Sequence, residues 1–245
     1  MNLKQELPKI VADLDLPVTE ERIMSEFVFR RFHPSSVESL GKQYAKRILA
    51  VAESLSMVRD STRMMVQKTP IVSGAYPDIP QWHVDCIPGL PAKLAETVRQ
   101  RIDGLICVIL DTEAHPHDRG TLFLEGDLDL DMSEEADSDY VPGSHMSVDT
   151  GRINWIHPQV QRQMGEKLRV SHLTPNTIYR YSSDQFHQAP IMVGNAGHRI
   201  VIRLNTPPDN FQGTVPVSDQ IIAPEPRYVF RVNEEHTQWT RENLS

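Results

Sequence analysis

Two potential metal ligands, His83 and Asp85, stand on either side of Val84 in the stretch QWHVDC. If this stretch is a β-strand, its two-residue period directs His83 and Asp85 to one face and Val84 to the other. An imidazole nitrogen and a carboxylate oxygen on one face can bind the same ion. With one more histidine they would form the 2-His-1-carboxylate set that binds iron(II) and leaves other coordination positions open.

His187 is the best-placed third ligand. It lies in TIYRYSSDQFHQAP, and the turn VGNAG then leads into HRIVIRLN. In that second stretch, Arg199 and Arg203 share one strand face. A buried arginine needs an anionic partner, and its planar group of donors matches a carboxylate. The sequence therefore predicts a metal bound by His83, Asp85 and His187, with Arg199 or Arg203 pairing with a carboxylate of a co-substrate.

The elements that must position these residues change in character along the chain. Residues from about 15 to 60 are expected to form a helical buttress, with capping-box spacing between Ser35 and Glu38. Short apolar runs separated by turns predict a β core over about 63–205, interrupted by one helix near 90–101. Prolines dominate 206–245, which is expected to wrap around the core and to contain the strand YVFRV. This pattern predicts one mainly β domain spanning 1–245, a sandwich or barrel with N-terminal helices flanking it.

The net charge of −8 is localised. Residues 125–139 contain eight acids and no base, and the rest of the chain has 25 acids and 25 bases. This distribution argues against a nucleic-acid partner. Asp127, Asp129 and Asp131 resemble part of a calcium loop, but Met132 stands where that loop needs glycine. We interpret them as candidate contacts for a cationic small-molecule substrate. The alternative interpretation is a solvated acidic loop.

The chain shows neither an N-terminal signal-like segment nor an apolar run of about 18 residues, so we expect a cytoplasmic protein without a membrane partner. Its two cysteines, Cys86 and Cys107, cannot build a disulfide framework, which agrees with a reducing compartment. The sequence indicates no oligomeric state.

The order His83-Val84-Asp85, then His187, then an arginine twelve residues later resembles the iron(II) and 2-oxoglutarate dependent oxygenases. Residues 141–145, VPGSH, are similar to a turn typical of the phytanoyl-CoA dioxygenase-like branch of that superfamily. The resemblance covers about residues 80–204. Two features depart from it: the acidic approach to VPGSH replaces a glycine- and asparagine-rich segment, and the chain is short for the branch.

This resemblance implies a double-stranded β-helix, the jelly-roll or cupin-like core. It further implies Fe(2+) held by His83, Asp85 and His187, with 2-oxoglutarate and O2 as co-substrates and Arg199 on the far carboxylate of 2-oxoglutarate. Arg203 competes with Arg199 for that role. The implied reaction is hydroxylation or another oxidation of a small molecule, for which an amine-bearing metabolite is one class. Two alternatives stay open: a non-oxidative metal-dependent isomerase or lyase, and a ligand-binding domain on the same scaffold.

Overall fold

The computed structural model describes residues 1–26, 29–32, 34, 43–85, 94, 98, 101–135, 150–207 and 227–244, and within them strands predominate. The strands are β1 (Asn2–Gln5), β2 (Lys9–Asp13), β3 (Phe29–Phe32), β4 (Arg63–Pro70), β5 (Asp103–Ile109), β6 (Leu122–Asp129), β7 (Thr150–Arg152), β8 (Leu168–His172), β9 (Thr177–Ser182), β10 (His187–Gln188), β11 (His198–Thr206), β12 (Tyr228–Val232) and β13 (Gln238–Asn243). The α-helices are α1 (Glu20–Ser25), α2 (Gln43–Ser54) and α3 (Ile156–Gln163).

The larger sheet has the strand order β2-β9-β5-β11-β4-β3, and each neighbouring pair is antiparallel. Strand β11 lies between β5 and β4, and its two faces carry different side chains. Ile200, Ile202 and Leu204 pack into one cluster with buried residues of α2, so this helix covers the outer face of the sheet. Arg199, Val201 and Arg203 consequently point to the inner face, as the two-residue period predicts.

The smaller sheet is built around β6. Leu122 pairs with His172 of β8 and with Gln188 of β10, so these two strands occupy opposite edges of β6. Strand β1 pairs with the other half of β6, on the same edge as β10. Helix α3 packs on the outer face through Ile156 and Val160, in a cluster that includes Leu124 and Leu128 of β6.

The inner faces of the two sheets share one apolar core. Phe123 of β6 belongs to the same buried cluster as Ile106 and Val108 of β5, Tyr181 of β9 and Val201 of β11. The described strands therefore form antiparallel sheets that face each other with helices outside, which confirms the prediction of a mainly β protein.

The ends of the chain contain one strand that the sequence predicted and several that it did not. The N-terminal segment forms β1 and β2, one in each sheet, before α1 begins. In the tail, β12 is the predicted YVFRV strand, and it joins β13 and β7 in a third sheet. The predicted cap at Ser35 lies outside the described residues, as does most of the helix expected at 90–101. Within the described ranges, no helix is long and apolar enough to cross a bilayer.

Candidate metal centre

The segment that carries His83 runs alongside β10. The His83 amide donates to the His187 carbonyl at 3.1 Å, and the His187 amide donates to the His83 carbonyl at 2.9 Å. The Asp85 amide donates to the carbonyl of Ser183 at 3.2 Å. This is a single bridge rather than the regular strand that the sequence predicts. The alternation still holds, because Trp82 and Val84 are buried in the outer cluster of the smaller sheet.

The two histidines lie side by side in the interior. Their ring centroids are 4.4 Å apart, and Phe123 stacks on His187 with a centroid distance of 5.3 Å. The Nδ1 atom of His83 lies 2.8 Å from the carbonyl oxygen of Gln81, and Nδ1 of His187 lies 3.0 Å from that of Gln185. A carbonyl oxygen only accepts hydrogen bonds, so both Nδ1 atoms carry a proton. In the neutral rings, both Nε2 atoms therefore keep a free lone pair, the form that binds a metal.

Asp85 is held from two directions. Arg203 donates through Nη1 to its Oδ1, and the Tyr181 hydroxyl lies 2.7 Å from its Oδ2. The same hydroxyl lies 2.8 Å from Oδ1 of Asn205. Tyr181 and Asn205 meet above Gly104, where a Cβ atom would lie 2.8 Å from the tyrosine ring and 2.7 Å from Asn205 Oδ1. Glycine at position 104 thus provides the space for this contact.

Burial and charge set the protonation states of the cluster. Burial, reinforced by His187, lowers the pKa of His83 to about 3, so this ring is neutral at ordinary pH. Burial would raise the pKa of Asp85, but Arg203 and then His187 outweigh it and hold that pKa below its usual range. Burial and the Asp85 charge raise the pKa of Tyr181 well above its ordinary value, so Tyr181 stays protonated.

The Nε2 atom of His187 has no hydrogen-bond partner in the described part of the chain, yet it faces Asp85 Oδ1 at 3.4 Å. Two electron-rich atoms at this separation repel unless a proton or a cation lies between them. As they stand, no three histidine, cysteine, aspartate or glutamate side chains among the described residues are arranged to hold a metal ion. Nevertheless, the Nε2 of His187, the adjacent Asp85 carboxylate and the imidazole of His83 match the donor types of an iron(II) site.

Arg199 is a second unsatisfied group on the inner face of β11. It is 1% exposed, and its Nε has no hydrogen-bond partner among the described residues. Burial lowers its pKa to about 10, against the attraction of Asp78 and in concert with Arg203. No described carboxylate lies within 4.0 Å of its guanidinium, whereas Arg203 contacts Asp85 and has Asp78 at 3.8 Å. A buried cation in this state fits an anionic ligand.

The acidic residues of β6 and the turn after it have other partners. Asp129 accepts from Lys167 and Asn2, each at 2.6 Å. Asp131 accepts from the backbone and hydroxyl of Ser133. Asp127 is exposed. It lies four residues along β6 from Phe123, the strand partner of His187, which corresponds to about 13 Å along the strand. The structure brings His83, Asp85, His187, Arg199 and Arg203 to the interior and leaves the three aspartates near the surface.

Sequence reasoning missed the groups that hold Asp85. Tyr181 could have been noticed, because TIYRYS places it on the same strand face as Tyr179. No local signal links Arg203 to Asp85. The VPGSH turn and Cys86 lie outside the described residues.

No protein-family model and no curated protein matches the sequence. Among solved structures, the apo form of the Kdo hydroxylase KdoO, a non-haem Fe(II) and alpha-ketoglutarate dependent dioxygenase, is 14% identical over 78% of this chain and 76% of its own, with a TM-score of 0.41. The same enzyme with alpha-ketoglutarate and Fe(III) gives a TM-score of 0.40 with the same identity and coverage. EvdO2 from Micromonospora carbonacea var. aurantiaca, complexed with 2-oxoglutarate, is 11% identical over 78% of this chain and 72% of its own, with a TM-score of 0.35. At these identities and TM-scores, the likeness by itself assigns neither a fold nor an activity to this chain.

Proposed function

We propose that this chain is a non-haem iron(II) and 2-oxoglutarate dependent oxygenase that hydroxylates or otherwise oxidises a small molecule. One observation carries the proposal: two imidazoles, each with Nδ1 directed at a backbone carbonyl, and a carboxylate meet in the interior, beside a buried arginine that has no ion-pair partner among the described residues. The first three groups supply the donors for iron(II), and Arg199 supplies the cation for a dicarboxylate.

In this proposal His83, Asp85 and His187 hold the metal, each on a different part of the backbone bridge. When bound, iron(II) with 2-oxoglutarate and O2 supplies an oxidant strong enough to attack a C–H bond, with release of succinate and carbon dioxide. The protein holds the two rings in one tautomer, keeps Asp85 ionised and excludes water from the interior. Phe123 and Tyr181 provide the apolar wall that this exclusion requires.

The two arginines have different roles in this scheme. Arg203 is already engaged with Asp85, so it orients the carboxylate ligand. Arg199 is four residues away on the same strand face, and its Nε has no hydrogen-bond partner among the described residues. Its guanidinium could therefore form a paired hydrogen bond with the far carboxylate of 2-oxoglutarate. Because Arg203 already binds Asp85, Arg199 is the better candidate for binding 2-oxoglutarate.

We further propose that the two sheets form a double-stranded β-helix and that the chain belongs to the phytanoyl-CoA dioxygenase-like branch. The facing antiparallel sheets support the first point, and the VPGSH sequence supports the second. The substrate is a small molecule. An amine-bearing one stays a prediction that depends on the acidic segment, since the interior cluster does not specify it.

An anaerobic titration tests the function. Iron(II) and 2-oxoglutarate are added to the protein, the visible charge-transfer band of the chelate is recorded, and succinate is measured after oxygen is admitted. The proposal expects both the band and succinate, and folded protein that gives neither would contradict it. A metal-dependent isomerase or lyase would bind the ion without consuming 2-oxoglutarate, whereas a ligand-binding domain would give no turnover.

A further inference from the structure

The two histidines belong to matching tripeptides, Gln81-Trp82-His83 and Gln185-Phe186-His187. In each, the glutamine carbonyl accepts the imidazole Nδ1 proton of the histidine two residues later. The aromatic residue is buried in the outer cluster of the smaller sheet, and the histidine backbones pair with each other. The interior thus contains two copies of one local arrangement, which we call the QWH unit and the QFH unit.

A distant amide side chain holds the QWH unit. Asn154, just before α3, donates through Nδ2 to the carbonyl of Trp82 at 2.8 Å. Its own backbone amide donates to Oε1 of Gln81 at 2.6 Å. Asn154 and Gln81 are both buried, so water does not compete for these bonds. Asn154 also accepts from the amide of His157 at 3.0 Å, which ties the QWH unit to the start of the helix.

The QFH unit has a counterpart in Gln5, at the end of β1. Its Oε1 accepts from the backbone amide of Phe186 at 2.8 Å, although the two residues are 181 positions apart. The next residue, Glu6, accepts from the side chain of Gln185 through its carbonyl. Oε1 of Gln185 in turn accepts from the amide of Ser182 at 2.8 Å. Each unit therefore has a buried amide side chain bonded to the peptide group of its aromatic residue.

We propose that Asn154 and Gln5 are positioning residues for metal binding, one for each imidazole. A ring nitrogen binds an ion well only when its partner nitrogen is fixed by a hydrogen bond and the ring cannot rotate. Here the acceptor for each ring is a backbone carbonyl, that of Gln81 or Gln185. The orientation of each ring therefore depends on the orientation of the peptide group that carries this carbonyl. Asn154 and Gln5 set this orientation from outside the tripeptide. The metal-binding part of this inference rests on the proposed function.

Cobalt(II) titration, followed by its visible absorption, tests Gln5. Gln5→Met removes the acceptor at nearly constant volume and is expected to weaken binding about 10- to 100-fold. Gln5→Glu keeps an oxygen acceptor and should stay within about 3-fold of the wild type. Asn2→Ala serves as the matched control, because Asn2 lies on the same strand and its side chain donates to Asp129 in an exposed contact. Equal losses in all three variants, or no loss in Gln5→Met, would overturn the inference.

A second measurement separates positioning from general destabilisation and needs no metal. Long-range proton–nitrogen NMR of the metal-free protein should show the Nδ1–H tautomer for both His83 and His187. Gln5→Met should disturb the His187 pattern alone. Asn154→Asp, which loses the donor to Trp82 but keeps the acceptor for the His157 amide, should disturb His83 alone. Tautomer patterns that are unchanged, or disturbed equally at both rings, would contradict the inference.

The two proposals fail in different ways. A wild type that binds no cobalt(II) contradicts the metal-dependent function, and the tautomer pattern still tests the roles of Gln5 and Asn154. A wild type that binds cobalt(II) while Gln5→Met and Asn154→Asp bind it equally well contradicts the positioning roles alone.

Discussion

Charged side chains occur in two contrasting regions of this molecule. The interior cluster consists of Asp78, Asp85, Arg199 and Arg203, all largely removed from water. The surface segment consists of Asp127, Asp129 and Asp131 on β6 and the turn after it, with Lys167 and Ser133 as partners. Removing a charge from water costs several kcal/mol, whereas an exposed pair gains and loses little. The few interior charges therefore affect the free energy of unfolding more than the many surface charges do.

The contrast also separates paired from unpaired charges. Arg203 has Asp85, and their contact fixes a proposed metal ligand. Arg199 has no such partner among the described residues, although it is the more deeply buried of the two. Two arginines four residues apart on one strand thus have different electrostatic surroundings, and substituting each one separates their roles.

The largest effect is expected for Asp85→Ala. Metal binding should be lost. The free energy of unfolding should fall by about 3–5 kcal/mol, because the more distant Asp78 is then the one ion-pair partner of the buried Arg203 among the described residues. The double variant Asp85→Ala/Arg203→Met should recover most of that stability without recovering metal binding. Urea unfolding and cobalt(II) titration of the metal-free proteins measure the two effects. Wild-type stability in the single variant would show that the pair is not energetically coupled.

Arg199→Met is expected to weaken 2-oxoglutarate binding about 10- to 150-fold, the range for losing a hydrogen-bonded charge partner worth about 1.5–3 kcal/mol. Its stability should not fall, because the substitution removes a buried cation that has no ion-pair partner in the described part of the chain. The matched variant Arg203→Met should leave 2-oxoglutarate binding within about 3-fold and instead weaken metal binding. Anaerobic titration of the iron(II) protein with 2-oxoglutarate compares them. The opposite pattern would exchange the roles of the two arginines.

Local periodicity explains what the sequence could predict at this site. The alternation in HRIVIRLN placed both arginines on the inner face, and QWHVD correctly predicted His83 and Asp85 on one side with Val84 on the other. The partner of Arg203 could not be predicted, because Asp85 is 118 residues away and the contact depends on how two sheets face each other. Strand β1 was missed for a related reason: NLKQ has little strand character and becomes a strand by pairing with β6.

His157 on α3 is an intermediate case, a buried titratable group with no ion pair among the residues that the structure describes. Burial, together with His236, lowers the pKa of His157 to about 4 from an unfolded value near 6.5. The unfolded chain then binds the proton more readily, so stability is full above about pH 6.5 and is lost as the pH falls towards 4. Urea unfolding at pH 7 and pH 4.5 should show a pH-dependent loss about 2 kcal/mol smaller in His157→Gln than in the wild type. Equal losses in both proteins would assign the acid sensitivity to other groups.

The smallest effect on stability is expected in the acidic segment, at Asp129. Asp129→Asn removes one partner of Lys167 at an exposed position and should shift Tm by no more than about 2 °C. The same substitution at Asp85 serves as the buried comparison, where a large shift is expected.

The predicted role of the acidic segment in substrate binding is tested by its salt dependence. If Asp127→Asn or Asp131→Asn weakens binding of an amine-bearing substrate at low salt and the difference disappears at high salt, the segment attracts that substrate through its field. Unchanged affinity at both salt concentrations would leave it as a solvated surface. In either case stability should be nearly unaffected, since water already screens these charges. A stability loss at Asp129 as large as that at Asp85 would remove the distinction between the two regions.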